Sequence, residues 1–352
     1  MDLHYNMYCS GNVGLCNVLM SFECGALISY LTNRELVLYN PSPIDAHVYK
    51  NPELKNRQKP FYLYNLFDIK LPFIHVKNEN IPQKFSPIPD FDNCAYYIDD
   101  IPSPDFLNHR EKAFDLKSIE SCQSIRTTGK KSTLSYYSHL FYSPTRREEL
   151  INFIKTTIKP KQKYLDLTDE ILKKNNLTNF NCIAVRRNDF CYIKSPLFNN
   201  KDITSERFLS VLLNNFDPSV PLLITTDEKD YNYFKPIHDH FKTVLYTYDL
   251  FDAYDIFELE KGLLKMLVSS RSNDFIGTLG STYSGFIQRY RIQNGLSKEF
   301  KFLYSLTHQY VLEPDGQCKI FNDKTYTWGR VQSTDSNLGI TRWYREWPES
   351  IA

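Results

Sequence analysis

A chain of 352 residues with 42 lysines plus arginines against 41 aspartates plus glutamates has length for two cores of ordinary size and no general pull toward nucleic acid or anionic lipid. Its 25 tyrosines and 24 phenylalanines beside only 12 glycines exclude a disordered chain and predict a packed globular one. Eight scattered cysteines without a C-x-x-C pair speak for free, mostly buried thiols rather than a disulfide frame.

The first ten residues show no charged leader running into an apolar stretch, and no window reads as a membrane span, so a soluble, cytoplasmic protein is expected. Without a secretory signal the acceptor pattern Asn176-Leu177-Thr178 is discounted.

In chain order, Gly11-Asn12-Val13-Gly14-Leu15-Cys16-Asn17 introduces a helix over 13–30. Its glycines allow close approach to a ligand, and Asn17 offers both donor and acceptor. The loop is not the G-x-G-x-x-G fingerprint, because the second glycine is misplaced and no clear strand with a later ribose-binding acid is visible. Asn33-Arg34 breaks the helical spacing before the strand Glu35-Leu36-Val37-Leu38-Tyr39. From Asn40 to about Pro144 prolines interrupt every short apolar run, and the pattern is irregular. A helix over 146–158 then ends at Lys159-Pro160-Lys161.

The second half alternates regularly: strand 181–187, helix 204–215, strand 220–226, helix 229–238, strand 242–247, helix 256–270, strand 273–278, helix 282–293. Such alternation predicts a parallel sheet covered by helices. The predicted organisation is two Rossmann-like domains of the α/β class, 1–160 and 161–300, with a tail 301–352 that holds all three tryptophans and packs back across the domains.

Three strand ends in the second half carry polar residues. Asn181-Cys182-Ile183-Ala184-Val185 runs into Arg186-Arg187-Asn188-Asp189. An arginine fork at the carboxyl end of a parallel strand suits a diphosphate; the plainer reading is a surface ion pair with Asp189 or another acid. Alternation along the strand turns only one arginine to a ligand, and Arg186 is the choice. Asp227 and Glu228 suit a guanine edge or a ribose hydroxyl, or serve only as a helix start. Ser281-Thr282-Tyr283-Ser284 opens a helix, as an anion site or a plain cap. Asp90-Phe91-Asp92 and His238-Asp239-His240 are weak metal patterns, the first in a proline-rich loop and the second pointing apart on a helix.

Together three segments resemble the GDP-fucose-dependent fucosyltransferase superfamily, which includes protein O-fucosyltransferases and α1,6-fucosyltransferases. They are Gly14-Leu15-Cys16-Asn17 with its helix and the strand Asn33-Arg34-Glu35-Leu36-Val37-Leu38; Ala184-Val185-Arg186-Arg187-Asn188-Asp189; and Phe275-Ile276-Gly277 through Ser281-Thr282-Tyr283-Ser284 to Arg289. The resemblance implies a GT-B architecture, two Rossmann-like domains facing across a cleft, with the acceptor side in 1–160 and the nucleotide sugar in 161–300. It further implies inverting transfer of fucose from GDP-fucose to a hydroxyl of a glycan or protein, with no divalent metal or other cofactor, no nucleic acid and no membrane span.

On that basis Arg186 is the catalytic residue, helping GDP to depart. Donor binding falls to Gly14, Leu15, Cys16, Asn17, Arg186, Arg187, Asp189, Asp227, Ser281, Thr282 and Tyr283, with Asn17 near the reacting sugar. The chain departs from the family pattern in three places. Ala184 stands where relatives carry a histidine, Lys265 where they commonly carry an aspartate near the guanine, and Gly14 where some carry an arginine. These departures keep two alternatives open: a catalytically silent nucleotide-sugar or glycan binder, and a glycosyltransferase with another donor.

Overall fold

A computed structural model describes residues 2–6, 14–39, 63–76, 95–97, 124–126, 144–187, 205–278, 281–296, 300–303, 308–312, 318–322 and 325–329. The chain divides into two compact units, Met1–Lys161 and Gln162–Ala352.

In the first unit, strand β1 (Asp2–Asn6) is followed by helix α1 (Leu15–Thr32) and strand β2 (Glu35–Tyr39). A strand therefore does precede the glycine loop, contrary to the sequence reading; five residues, DLHYN, lack the apolar run that would have marked it. With β4 (Phe73–Val76), β5 (Ala95–Tyr97) and β6 (Ser124–Arg126), β1 and β2 form a wholly parallel sheet in the order β4-β2-β1-β6-β5. Helix α1 is apolar on every side and correspondingly buried from Val18 to Ser29. It ends where Asn33 takes the left-handed conformation at φ 48°. There the Asn33 and Arg34 N–H groups donate back to the Tyr30 and Ser29 carbonyls, which stops the helix and aims the chain into β2.

By length and composition alone α1 is also long and apolar enough to cross a membrane, with mean hydropathy 1.4 over 18 residues. Ser21, Glu23 and Gly25 interrupt the apolar run without lowering its mean far enough. In this fold 78% of the helix is buried inside the protein.

The unit is completed by a short helix α2 (Leu63–Leu66), strand β3 (Phe67–Ile69), helix α3 (Pro144–Thr157) and strand β7 (Ile158–Pro160). Strand β7 pairs antiparallel with β3. Ile158, expected as the last residue of a helix, is thus the first of a strand.

The second unit begins with α4 (Gln162–Lys174), an amphipathic helix that the sequence reading passed over. There follow β8 (Asn181–Val185), α5 (Ser205–Asn215), β9 (Leu222–Thr226), α6 (Lys235–His238), β10 (Val244–Tyr246), α7 (Glu258–Ser269), β11 (Phe275–Thr278) and α8 (Thr282–Gln293). The helix expected over 229–238 is a 3-10 turn, Tyr231–Phe234, running into the single turn of α6.

Strands β8 and β9 are buried along their whole length, as strands covered by helices on both faces must be. Ile183, Val185, Leu222 and Ile224 meet Phe208 and Leu212 of α5 and Phe234 and Ile237 on one face. On the other face, Cys182 lies beside Ser269 and Arg291, and burial pushes its thiol up to about 12. Cys16, Cys24 and Cys182 are buried; Cys9, Cys94, Cys122 and Cys191 lie outside the described residues.

Far from the site, Arg291 pins the end of α8 to the start of β11. It donates to the Ser272 carbonyl, to Ser272 Oγ at 2.7 Å and to the Asn273 carbonyl at 2.7 Å.

After α8 the chain makes β12 (Phe300–Leu303), β13 (His308–Leu312), β14 (Cys318–Asn322) and β15 (Thr325–Gly329). The sheet order is β10-β9-β8-β11-β12-β13-β14-β15. Pairing is parallel as far as β12 and antiparallel beyond it. Within the tail, strands β12 to β15 extend the second unit's own sheet through Gly329. Residues 330–352, with Trp343 and Trp347, lie outside the described residues.

Candidate functional site

The sheet order of the second unit locates its crevice. From β8 the chain steps through β9 to β10 on one side, then returns past β8 to place β11 and β12 on the other. Strand order reverses between β8 and β11, and at such a switch point the loops leave in opposite directions and open a crevice at the carboxyl ends. Arg186 follows β8, and Thr278 ends β11.

A hydrogen-bond relay joins these two strand ends. The Arg186 N–H donates to Thr278 Oγ1 at 3.0 Å, and that hydroxyl donates to the Ala184 carbonyl at 2.7 Å. The Thr278 N–H in turn donates to Ser284 Oγ at 3.0 Å in the first turn of α8. Gly277 makes this closeness possible, since a Cβ built there would stand 2.7 Å from Ser284 Cβ. The helix start thus rests on the strand end, with Ser281 Oγ accepting the Ser284 N–H at 3.4 Å as N-cap. A helix start presents N–H groups ahead of its first backbone bond and the positive dipole end, here at Thr282 and Tyr283. The Tyr283 hydroxyl donates to the Gly262 carbonyl of α7 at 3.2 Å, fixing the turn from the side.

The two arginines part as strand alternation demands. Arg187 joins the α5 and α6 face: its guanidinium lies 3.8 Å over the Tyr233 ring and Nε donates to Glu228 Oε2 at 2.7 Å. Arg186 belongs with Cys182 and Ala184 on the α7 and α8 face, one-third exposed, with Nε 3.4 Å from Asp227 Oδ2.

Asp227 addresses both arginines, because its Oδ1 also accepts the Arg187 N–H at 2.7 Å. Glu228 is committed likewise, to Arg187 and to the N–H groups of Lys229 and Asp230. Burial alone would raise the Glu228 carboxyl, but these bonds hold it below its usual range. Both acids thus meet the arginine pair in this structure. Thr226 completes the link, its hydroxyl donating to the Val185 carbonyl at 2.8 Å.

Asp189 lies outside the described residues, as do Gly11, Asn12 and Val13. In the first unit Gly14 occupies the N-cap of α1 in extended geometry, its carbonyl accepting the N–H groups of Asn17 at 3.0 Å and Val18 at 3.2 Å. Leu15 and Asn17 are half-buried, whereas the Cys16 side chain is in the core at 3% exposure. A thiol so placed offers a ligand its backbone alone.

Among the described residues no group of three metal-binding side chains occurs. His238 Nε2 meets the Tyr246 hydroxyl and His240 Nδ1 the Pro236 carbonyl, so the two rings serve different partners. Asp90 and Asp92 lie outside the described residues.

Gly277 and Thr278 belong to the strand end, and Ser284 to the helix start, that the sequence marks for a ligand; their contact with one another is what the sequence does not mark. A glycine one place before a strand-end threonine and seven before a serine carries the signal only once helix and strand are known to touch.

No protein-family model matches the sequence, and no curated protein matches it. Among solved structures the chain is similar to Arabidopsis thaliana FUT1 in complex with GDP, at 11% identity and TM-score 0.49, covering 86% of this chain and 70% of that one. It is also similar to the fucosyltransferase NodZ from Bradyrhizobium, at 12% identity and TM-score 0.49, covering 86% and 96%. A third is POFUT1 in complex with GDP-fucose, at 12% identity and TM-score 0.47, covering 82% and 94%.

Proposed function

We propose that this chain is a glycosyltransferase of the GT-B type that moves fucose from GDP-fucose to a hydroxyl of a glycan or protein, by inversion and without a metal ion. The observation that carries the reading is Arg186 at the topological switch point, tied through Thr278 to the helix start at Ser281. The choice of GDP-fucose rests on the resemblance of the three sequence segments.

The chemistry follows from charge. An acceptor hydroxyl oxygen attacks the anomeric carbon from the side opposite the diphosphate; its bond forms as the carbon–oxygen bond to the β-phosphate breaks, GDP leaves with the bonding pair, and the hydroxyl proton passes to water. Negative charge grows on the departing phosphate, so a fixed guanidinium and helix-start N–H groups bind the transition state better than the ground state. Asp227 keeps Arg186 oriented before the donor arrives. The resemblance assigns Asn17 to the neighbourhood of the reacting sugar.

A donor panel tests this. GDP-fucose, GDP-mannose and UDP-GlcNAc are incubated with the full chain, and nucleotide release is measured. GDP-fucose is expected to be cleaved fastest, and Arg186→Ala to slow release by about 10²–10³-fold, the cost of losing one preorganised charge-stabilising donor. Cleavage of another sugar nucleotide at a higher rate would move the donor assignment.

The second reading, a binder without turnover, is favoured by Ala184, a buried methyl group at 2% exposure where the resemblance implies an imidazole near phosphate. GDP binding with no cleavage of any donor selects it.

A further inference from the structure

On the α7 and α8 face, a polar row runs along the crest of the second sheet away from Arg186. Thr225 of β9 stands opposite Ala184 in the ladder, and its hydroxyl accepts from Thr247 Oγ1 at 3.2 Å, both groups buried. Tyr248 comes next, beyond the end of β10. Beneath it lies Lys265, reaching up from α7 with only 8% of its surface exposed and Nζ 3.1 Å from the Tyr248 ring centroid. Tyr248 itself is 36% exposed.

A lysine so deeply covered would be costly unless its charge were compensated, and the π face of a tyrosine is one compensating group. The position of that ring is what matters for function. It stands two strands from Arg186, about 10 Å at the usual strand spacing, along the same edge. In a nucleoside diphosphate one pentose separates the phosphates from the base, a span of that order.

We propose that Tyr248, backed by Lys265, is the stacking platform for the nucleobase of the nucleoside diphosphate whose phosphates meet Arg186; the proposal rests on the reading of the switch point as a diphosphate site. The ammonium under one face draws electron density from the ring, so the other face stacks more favourably on an electron-rich, carbonyl-bearing base. With its ammonium against that ring, Lys265 acts through Tyr248.

Calorimetric titration of the full chain with GDP and, separately, with sodium pyrophosphate tests this. Tyr248→Ala is expected to weaken GDP by at least about fivefold, the lower end for loss of one base–aromatic stack, and to leave pyrophosphate unchanged. Tyr248→Phe retains GDP affinity. Lys265→Met weakens GDP by a smaller factor and again spares pyrophosphate.

GDP affinity unchanged in Tyr248→Ala overturns the platform, and equal weakening of GDP and pyrophosphate by Lys265→Met makes Lys265 a phosphate ligand and overturns its supporting role. Tyr248→Ala decides the matter alone if Lys265→Met does not fold, since Tyr248 is at the surface. A wild-type chain that binds pyrophosphate but gains nothing from the nucleoside refutes the platform and leaves the phosphate site standing. One that binds neither removes both.

Discussion

Both units build a sheet with parallel strands and start a helix after one of them, yet the two helix starts are made differently. At the start of α1, Gly14 caps the helix through its carbonyl alone, and Asn17 is the polar side chain that the turn contributes. At the start of α8, Ser281 caps with its side chain, Ser284 holds Thr278, and Thr278 holds Arg186. The first turn owes its place to the buried helix behind it, whereas the second belongs to a network that spans two strands and a helix. A network of this kind fixes a charge within a narrow range of positions, which is what stabilising a leaving group requires. A single amide suits orientation of a neutral sugar hydroxyl better.

Paired substitutions break or sharpen that contrast. Arg186→Ala should cost the most, lowering donor cleavage by about 10²–10³-fold and weakening GDP binding. Asn17→Ala should lower turnover while GDP affinity, read by titration, stays at the wild-type value. Equal loss of GDP affinity in both variants would erase the proposed division between phosphate and sugar.

Gly277→Ala comes next. The added methyl group meets Ser284 Cβ at 2.7 Å, and overpacking of this kind costs about 1–3 kcal/mol, measurable by urea denaturation. Because strand and helix start must then separate, GDP binding should weaken beyond what the stability loss explains. No such change is expected from a glycine-to-alanine change elsewhere that leaves this contact intact.

Thr278→Val is milder. It removes the acceptor of the Arg186 N–H and the donor to the Ala184 carbonyl, costing about 1 kcal/mol. Thr278→Ser, which keeps the hydroxyl, should restore donor cleavage. Failure of that rescue would deny the relay a part in placing Arg186.

The smallest effect is on acid stability. Glu260 accepts from Tyr164 at 2.6 Å, Lys163 at 3.1 Å and the Phe257 N–H at 3.2 Å. Burial would raise its carboxyl, but these bonds hold it below the ordinary 4.5, as they do for Glu228. With the folded values depressed, the unfolded chain takes up protons first as pH falls. The stabilisation is therefore complete above the unfolded value and lost as pH drops through the folded one. Glu260→Gln should flatten the acid limb of the melting temperature below about pH 4.5, and an unchanged limb would assign the acid sensitivity elsewhere.

Much of the second unit was legible before any coordinates. Strands such as Leu222-Leu223-Ile224 are short apolar runs, and periodicity shows such strands and amphipathic helices well. Helix α4 escaped notice because its buried positions, Tyr164, Thr168 and Ile171, include a threonine and stand among charged residues. Strands β12 to β15 are hard to read from sequence because segments such as Cys318–Asn322 mix charged, polar and apolar residues in an antiparallel meander with no helix between strands. In the first unit β1 is too polar and too brief to announce itself.

The sequence by itself determined the alternating second unit, the arginine pair at a strand end, the serine cap of α8 and the polar turn ahead of α1, because these are local patterns of residue type and spacing. Tertiary structure decided which arginine faces which layer, that Asp227 serves both, and that Gly277 lets the helix start touch the strand end. It also decided that Lys265 lies beneath Tyr248. Those outcomes depend on strand order and on contacts between residues 7 to 92 positions apart in the chain. One-dimensional spacing carries no record of such distances.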